Sequence, residues 1–232
     1  MEKLYDWPRA FRALQLLLTN PDDTQQVFVM IDALSGNSPR RLLKRFGRDE
    51  NGSRLLAAKS NLLPLLCDRE RLRALPPDSL GRAYLAFVES EGITAGGLVD
   101  ASNVRESAEG IDPDLVFLRA RLRDSHDLWH AVTGYKGDLV GEASLLAFSL
   151  AQTRNPAIAL IVLAAFLRGE EFAIRTQIVR GFLRGARARW LVAYDWEGAL
   201  ARPLEDVRRE LKVGPPPSYV PVRTSDLVSA AA

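Results

Sequence analysis

Apolar residues return every three or four positions along almost the whole of this chain of 232 residues. That spacing lines one face of a helix. No run of alternating, β-branched residues bounded by turn residues interrupts it, so an all-α fold is predicted. Helix starts are marked where a polar residue or proline precedes an apolar-periodic stretch: Asn20-Pro21-Asp22-Asp23, Ser38-Pro39, Pro76-Pro77-Asp78 and Asp112-Pro113. From Pro113 the spacing predicts one long helix, "DPDLVFLRARLRDSHDLWHAVTGY", closed by Gly134, since glycine tolerates a left-handed cap. After the short loop "GYKGD" a second helix spans about 138 to 154. Asp138 is its cap, and Glu142 lies in its first turns, where negative charge suits the helix dipole. Pro156 opens another helix. The stretch "RTQIVRGFLRGARARWLVAYDWEGALARPLEDVRREL" continues in helix, weakened or bent at Gly181 and Gly185. One multi-helix domain is expected over residues 1–213, followed by a Pro-rich extended tail over 214–232 with a frayed end.

Hydrophobic residues make up 47% of the chain, enough for a sizeable core. With 31 basic against 29 acidic residues and a net charge of +2, no field of one sign exists to wrap nucleic acid. A single cysteine, Cys67, excludes an internal disulfide and is expected to be buried and inert. The opening "MEKLYDWPRAFRALQLLLTN" lacks the features of a secretory signal, and its acidic residues do not suit a transit peptide, so the mature chain is expected to start here. The longest apolar run, Pro156 to Leu167, is shorter than the roughly 20 residues that cross a bilayer. It suits a greasy cavity or the surface of a membrane.

The chain has two histidines, and they stand four residues apart, at His126 and His130. On a helix turning about 100° per residue, His130 lies about 40° round from His126, with Asp127 and Arg123 on the same side. A helical hairpin can fold Glu142 opposite the pair. Two imidazoles with one or two carboxylates are ligands for zinc or a first-row relative. The bland alternative is a set of unrelated polar residues on a solvated face. His-Asp also occurs in HD-type phosphohydrolases, which need a further upstream histidine. His-x-x-x-His occurs in zinc peptidases, with Asp127 in place of their glutamate.

His126, Asp127, His130 and Glu142 complete the pattern His-Asp-x-x-His-x11-Glu, and in this the chain resembles the ubiquinone (coenzyme Q) biosynthesis proteins of the kind numbered fourth in the yeast pathway. The segments "NPDDTQQVFVMIDALSG", "RALPPDSLGRAYLAFVES", "DLWHAVTGY" and "LEDVRRELKVGPPP" extend the resemblance over most of residues 8 to 217. Without the mitochondrial targeting segment of eukaryotic members, the chain looks like a bacterial relative.

The resemblance implies an all-helical, membrane-associated protein that binds a polyprenylated ring intermediate and a divalent metal, zinc first, with Mg2+ or Fe2+ left open. Its implied activity is metal-dependent removal of the ring C1 carboxyl from a polyprenylated hydroxybenzoate, in some accounts coupled to hydroxylation. The alternative is a non-catalytic prenyl-lipid-binding scaffold for the other ubiquinone biosynthesis enzymes. His126, His130 and Glu142 are then the expected ligands. Asp127 is a fourth ligand, a partner that orients a histidine, or a proton shuttle. Arg123 would pair with a substrate carboxylate. The stretches "EASLLAFSLAQ" and "PAIALIVLAAFL" would line a lipid channel, or serve as ordinary core helices. Arg175, Arg180, Arg184, Arg187 and Arg189 offer a face for anionic lipid. Asp22 and Asp23 suggest half of a diphosphate motif, but Gln26 replaces its last aspartate, so they are read as a helix cap. The expected location is the bacterial cytoplasm, at the periphery of the inner membrane, with a homodimer left open.

Overall fold

The computed structural model of the chain describes residues 5–21, 23–93, 112–169 and 172–223. Asp22 and residues 224–232 of the expected tail lie outside them. The described residues form an all-helical protein with no β-strand among them. In chain order the first helices are α1 (Trp7–Thr19), α2 (Thr24–Leu34), α3 (Ser38–Phe46), α4 (Glu50–Ala58), α5 (Leu63–Cys67), α6 (Arg69–Arg73) and α7 (Leu80–Ser90). They are followed by α8 (Pro113–Asp124), α9 (His126–Thr133), α10 (Leu139–Thr153), α11 (Pro156–Arg168) and α12 (Phe172–Arg187). A 3-10 turn (Leu191–Ala193), α13 (Trp196–Ala199) and α14 (Leu204–Leu211) complete the series. Two compact units result: residues 1–39, 135–187 and 217–232, and residues 40–134 and 188–216.

In the first unit α1 packs on α2, and α11 packs on α2. Ala10, Ala13, Leu14 and Leu17 meet Met30, Ala33, Leu34, Ala157 and Ile161 in one buried cluster. The small side chains of Ala10, Ala13, Ala33 and Ala157 let these helices approach closely. α10 lies against α12, with Ala143, Ala147 and Ile178 buried together. Gly181 and Gly185 face the backbone of Ser144 and Phe148. α12 continues through both, unbroken from Phe172 to Arg187. Their missing side chains are what allows α10 so near.

The second unit is built on α7, which packs against α6, α9 and α14. Ser79 caps α7 by accepting a hydrogen bond from the Arg82 amide, as the Pro-Pro-Asp signal before it suggested. The expected single helix from Pro113 to Gly134 is two. Ser125 interrupts it, its amide bonded to the Arg121 carbonyl and its hydroxyl turned to the Leu122 carbonyl. Serine competes with the helix for such backbone groups. Gly134 does close α9, at φ 79°, donating its amide to the His130 carbonyl. The last carbonyls of α9 are also held by Arg208, which donates to Val132 and Ala131.

The stretch after Arg187 also departs from continuous helix. Trp190 and Tyr194 are extended, Asp195 caps α13 at Gly198, and Pro203 begins α14. Arg202 precedes that proline, which disfavours the helical region for it. Buried Arg121 ties these pieces together, gripping both carboxylate oxygens of Glu197 at 2.7 and 2.9 Å and the Tyr194 carbonyl at 2.8 Å. Cys67, expected to be buried, is exposed, because it ends the five-residue α5. No helix among the described residues is long and apolar enough to cross a membrane.

Candidate functional site

His126, Asp127 and His130 are carried on α9, whose other side buries Leu128 and Val132 in the core. The imidazoles stand one turn apart, ring centroids 4.8 Å from each other and planes at 69°. Asp127 is buried, and its Oδ1 lies 3.1 Å from His126 Nδ1. A carboxylate on one imidazole nitrogen fixes the ring and leaves Nε2 for another partner. Phe87 of α7 lies flat on His130, at 4.7 Å and 12°. One turn earlier Tyr84 is buried, with no hydrogen-bond partner for its hydroxyl among the described residues. Burial, and next the charge of Asp127, hold this phenol protonated well beyond its ordinary range.

Glu142 sits in the first turn of α10. Buried Asp138 starts that helix, accepting from the Val140 and Gly141 amides as expected, and also from the Val222 amide and the Tyr219 hydroxyl. Tyr219 in turn accepts from the Lys136 amide at 2.9 Å. The loop from Tyr135 to Asp138 is thereby braced by Tyr219 and Val222, part of the Pro-rich segment expected to be an extended arm.

His126 and His130 set two imidazoles on one turn of α9, and Glu142, the last residue of the same motif, stands in the first turn of α10. Two imidazoles and a carboxylate are a zinc donor set, with room in tetrahedral geometry for one more ligand. Asp127 belongs to the same sequence motif, but its carboxylate lies on the His126 ring. Arg123, expected beside the histidines, precedes the break at Ser125, and its Nε donates to Asp124 at 2.8 Å.

Of the five arginines expected to form one basic face, Arg180 and Arg187 are exposed on α12, alongside exposed Val179, Phe182 and Leu183. Arg175 turns back to the Phe166 carbonyl, and Arg184 covers the Tyr135 ring. Arg189 is exposed on the other unit. Along α11, Ala157, Ile158 and Ile161 are buried, whereas Leu163 and Leu167 are 52% and 65% exposed. Asp23 stands at the N-cap of α2 but accepts from the Gln26 side chain in place of a backbone amide.

Tyr84 and Phe87 were not singled out in the sequence. Their spacing of three on the apolar face of "LGRAYLAFV" was the available signal, and it is equally that of ordinary core residues.

Residues 8–217 match the family profile of the coenzyme Q (ubiquinone) biosynthesis protein Coq4. Among curated proteins, the mitochondrial ubiquinone biosynthesis protein coq-4 of Neurospora crassa is 31% identical over 74% of this chain and 49% of its own length. The Danio rerio homologue of ubiquinone biosynthesis protein COQ4 is 27% identical over 86% of this chain and 73% of its own. The chain thus spans about half the length of the Neurospora relative. A crystal structure from Nostoc punctiforme, of a protein assigned provisionally to ubiquinone biosynthesis, shares the fold with a TM-score of 0.67. It is 22% identical and covers 91% of this chain and all of that one.

Proposed function

Because the chain belongs to the coenzyme Q (ubiquinone) biosynthesis protein Coq4 family, we propose that it acts in ubiquinone biosynthesis as a metal-dependent decarboxylase of a polyprenylated hydroxybenzoate. The observation that carries this reading is the pair of imidazoles at His126 and His130, one turn apart on α9, with Glu142 of the same motif in the first turn of α10. These three residues would hold a divalent ion, zinc before Mg2+ or Fe2+. The ion would supply positive charge against the negative charge that builds in the ring as CO2 leaves.

The rest falls to the chain's own groups. Asp127 steadies His126 through Oδ1, and its second oxygen is the proposed carrier of the proton that the ring carbon must take up when the carboxyl departs. Phe87 and Tyr84 keep water from the buried side of α9. Arg123, in the last turn of α8, is the proposed anchor for the substrate carboxylate. The exposed Val179, Phe182 and Leu183 beside Arg180 and Arg187 support attachment to a membrane surface, where the polyprenyl chain resides. The apolar helices α10 and α11 are the proposed walls for that chain.

The α12 face also fits the second reading, a scaffold that gathers other ubiquinone biosynthesis enzymes on the membrane. Elemental analysis of freshly purified protein tests the metal on which the first reading depends. About one divalent ion per chain is expected, released by His126→Ala or His130→Ala. Metal-free wild-type protein, unable to take up zinc, would sink the decarboxylase.

A further inference from the structure

We propose that Phe87 is a positioning residue for the metal centre: its ring holds the His130 imidazole in ligating orientation and favours the charge that this imidazole takes on when it binds a cation. The proposal rests on the reading of His126, His130 and Glu142 as ligands. It concerns a residue outside the ligand motif, on a different helix.

The backbone of α9 fixes the Cβ of His130 but not the torsion beyond it, because the last torsion of histidine is broad and only weakly selective. Something outside the helix must choose the ring plane. Phe87 does so by lying 12° from parallel with centroids 4.7 Å apart. Turning the imidazole from this plane would drive its edge into the phenyl face. The phenyl covers the face of the imidazole and not its edge, where both ring nitrogens point. Phe87 is itself held, for Tyr84, Leu85 and Val88 around it on α7 are buried, and α7 packs on α9. A ligand fixed before the ion arrives loses less freedom on binding.

Charge adds a second effect. The face of a phenyl ring is negative, and a cation draws electron density from the imidazole it binds. The stacked contact is therefore stronger in the metal-bound state than in the free one. A residue that merely filled space would not distinguish these states.

The test exchanges Phe87 for Tyr, for Leu and for pentafluorophenylalanine, which keeps nearly the same shape but reverses the charge of the ring face. Zinc affinity of each full-length protein is measured by competition with a chromophoric chelator, and thermal unfolding of the metal-free forms reports the fold. Phe87→Tyr should bind as wild type does. Phe87→Leu and the pentafluoro protein should bind roughly 3-fold to 30-fold more weakly, with metal-free melting close to wild type. Wild-type affinity in the folded pentafluoro protein would overturn the proposal, even if Phe87→Leu failed to fold. Failure of wild type to bind zinc would instead remove the ligand reading, and this proposal with it.

Discussion

Gly181 lies so close to Ser144 that a β-carbon on it would fall 2.3 Å from the Ser144 carbonyl oxygen, and the same construction at Gly185 meets the Phe148 carbonyl at 2.4 Å. In an exposed helix, glycine to alanine stabilises by about 1 kcal/mol. Here the sign reverses, because the obstacle is backbone and cannot rotate away. Gly181→Ala and Gly185→Ala should each destabilise by about 2 kcal/mol or more, a fall of roughly 4–8 °C in melting temperature. Circular dichroism during heating reads this directly.

These glycines also mark how much the sequence discloses. Their helix was legible from the spacing of apolar residues, and the starts of α7, α8, α10 and α11 were legible from local chemistry that acts within a few residues, although the residues that cap α7 and α11, Ser79 and Asn155, were not named. What a glycine faces across a helix pair was not legible, so it was read as a weakness. The break at Ser125 was missed for a related reason: a one-residue interruption leaves the apolar period on both sides intact. At the site, the histidine spacing placed two rings on one turn, and the capped start of α10 placed Glu142. Tyr84 and Phe87 reach α9 from some forty residues away along the chain, and no local rule links them to it. Arg121 was equally hidden, since arginines are mostly exposed.

Arg121 is buried, and its guanidinium is gripped by Glu197 and the Tyr194 carbonyl. Removing one partner leaves a buried charge uncompensated, which costs about 3–5 kcal/mol. Glu197→Ala should therefore unfold at markedly lower denaturant than wild type. The double variant Arg121→Met/Glu197→Leu should recover much of the loss. Chemical denaturation of the three proteins checks both statements.

Burial first, and then the neighbouring Glu210 carboxylate, push the Tyr194 phenol up to about 12. Burial also raises Tyr84, and burial together with Asp138 raises Tyr219. In the unfolded chain these phenols ionise near pH 10. Below that pH both states keep the proton and the stability is whole. Above it the unfolded state loses protons that the folded state retains, so stability falls as pH rises. Melting temperature should drop from about pH 10 upward, and Tyr194→Phe should make the drop shallower. Absorbance at the phenolate band should show these three tyrosines ionising late, together with unfolding.

Asp127→Asn separates chemistry from assembly. Asparagine keeps the shape of the side chain and an oxygen able to accept from His126, so α9 should fold unchanged. It cannot carry the proton that decarboxylation returns to the ring, and it lacks the charge that strengthens the imidazole as a ligand. Zinc affinity should fall about 10-fold to 100-fold, and turnover by roughly 100-fold or more. A scaffold predicts the opposite order. Quinone production would survive Asp127→Asn and would be abolished by Arg180→Glu with Arg187→Glu, which reverse the exposed charges beside Val179, Phe182 and Leu183. Complementation of a strain lacking the protein, read as ubiquinone against accumulated carboxylated precursor at equal expression, distinguishes the two. Precursor accumulation with Asp127→Asn is the outcome expected of a decarboxylase. Normal ubiquinone with that variant would remove Asp127 from the chemistry and leave the scaffold as the better account.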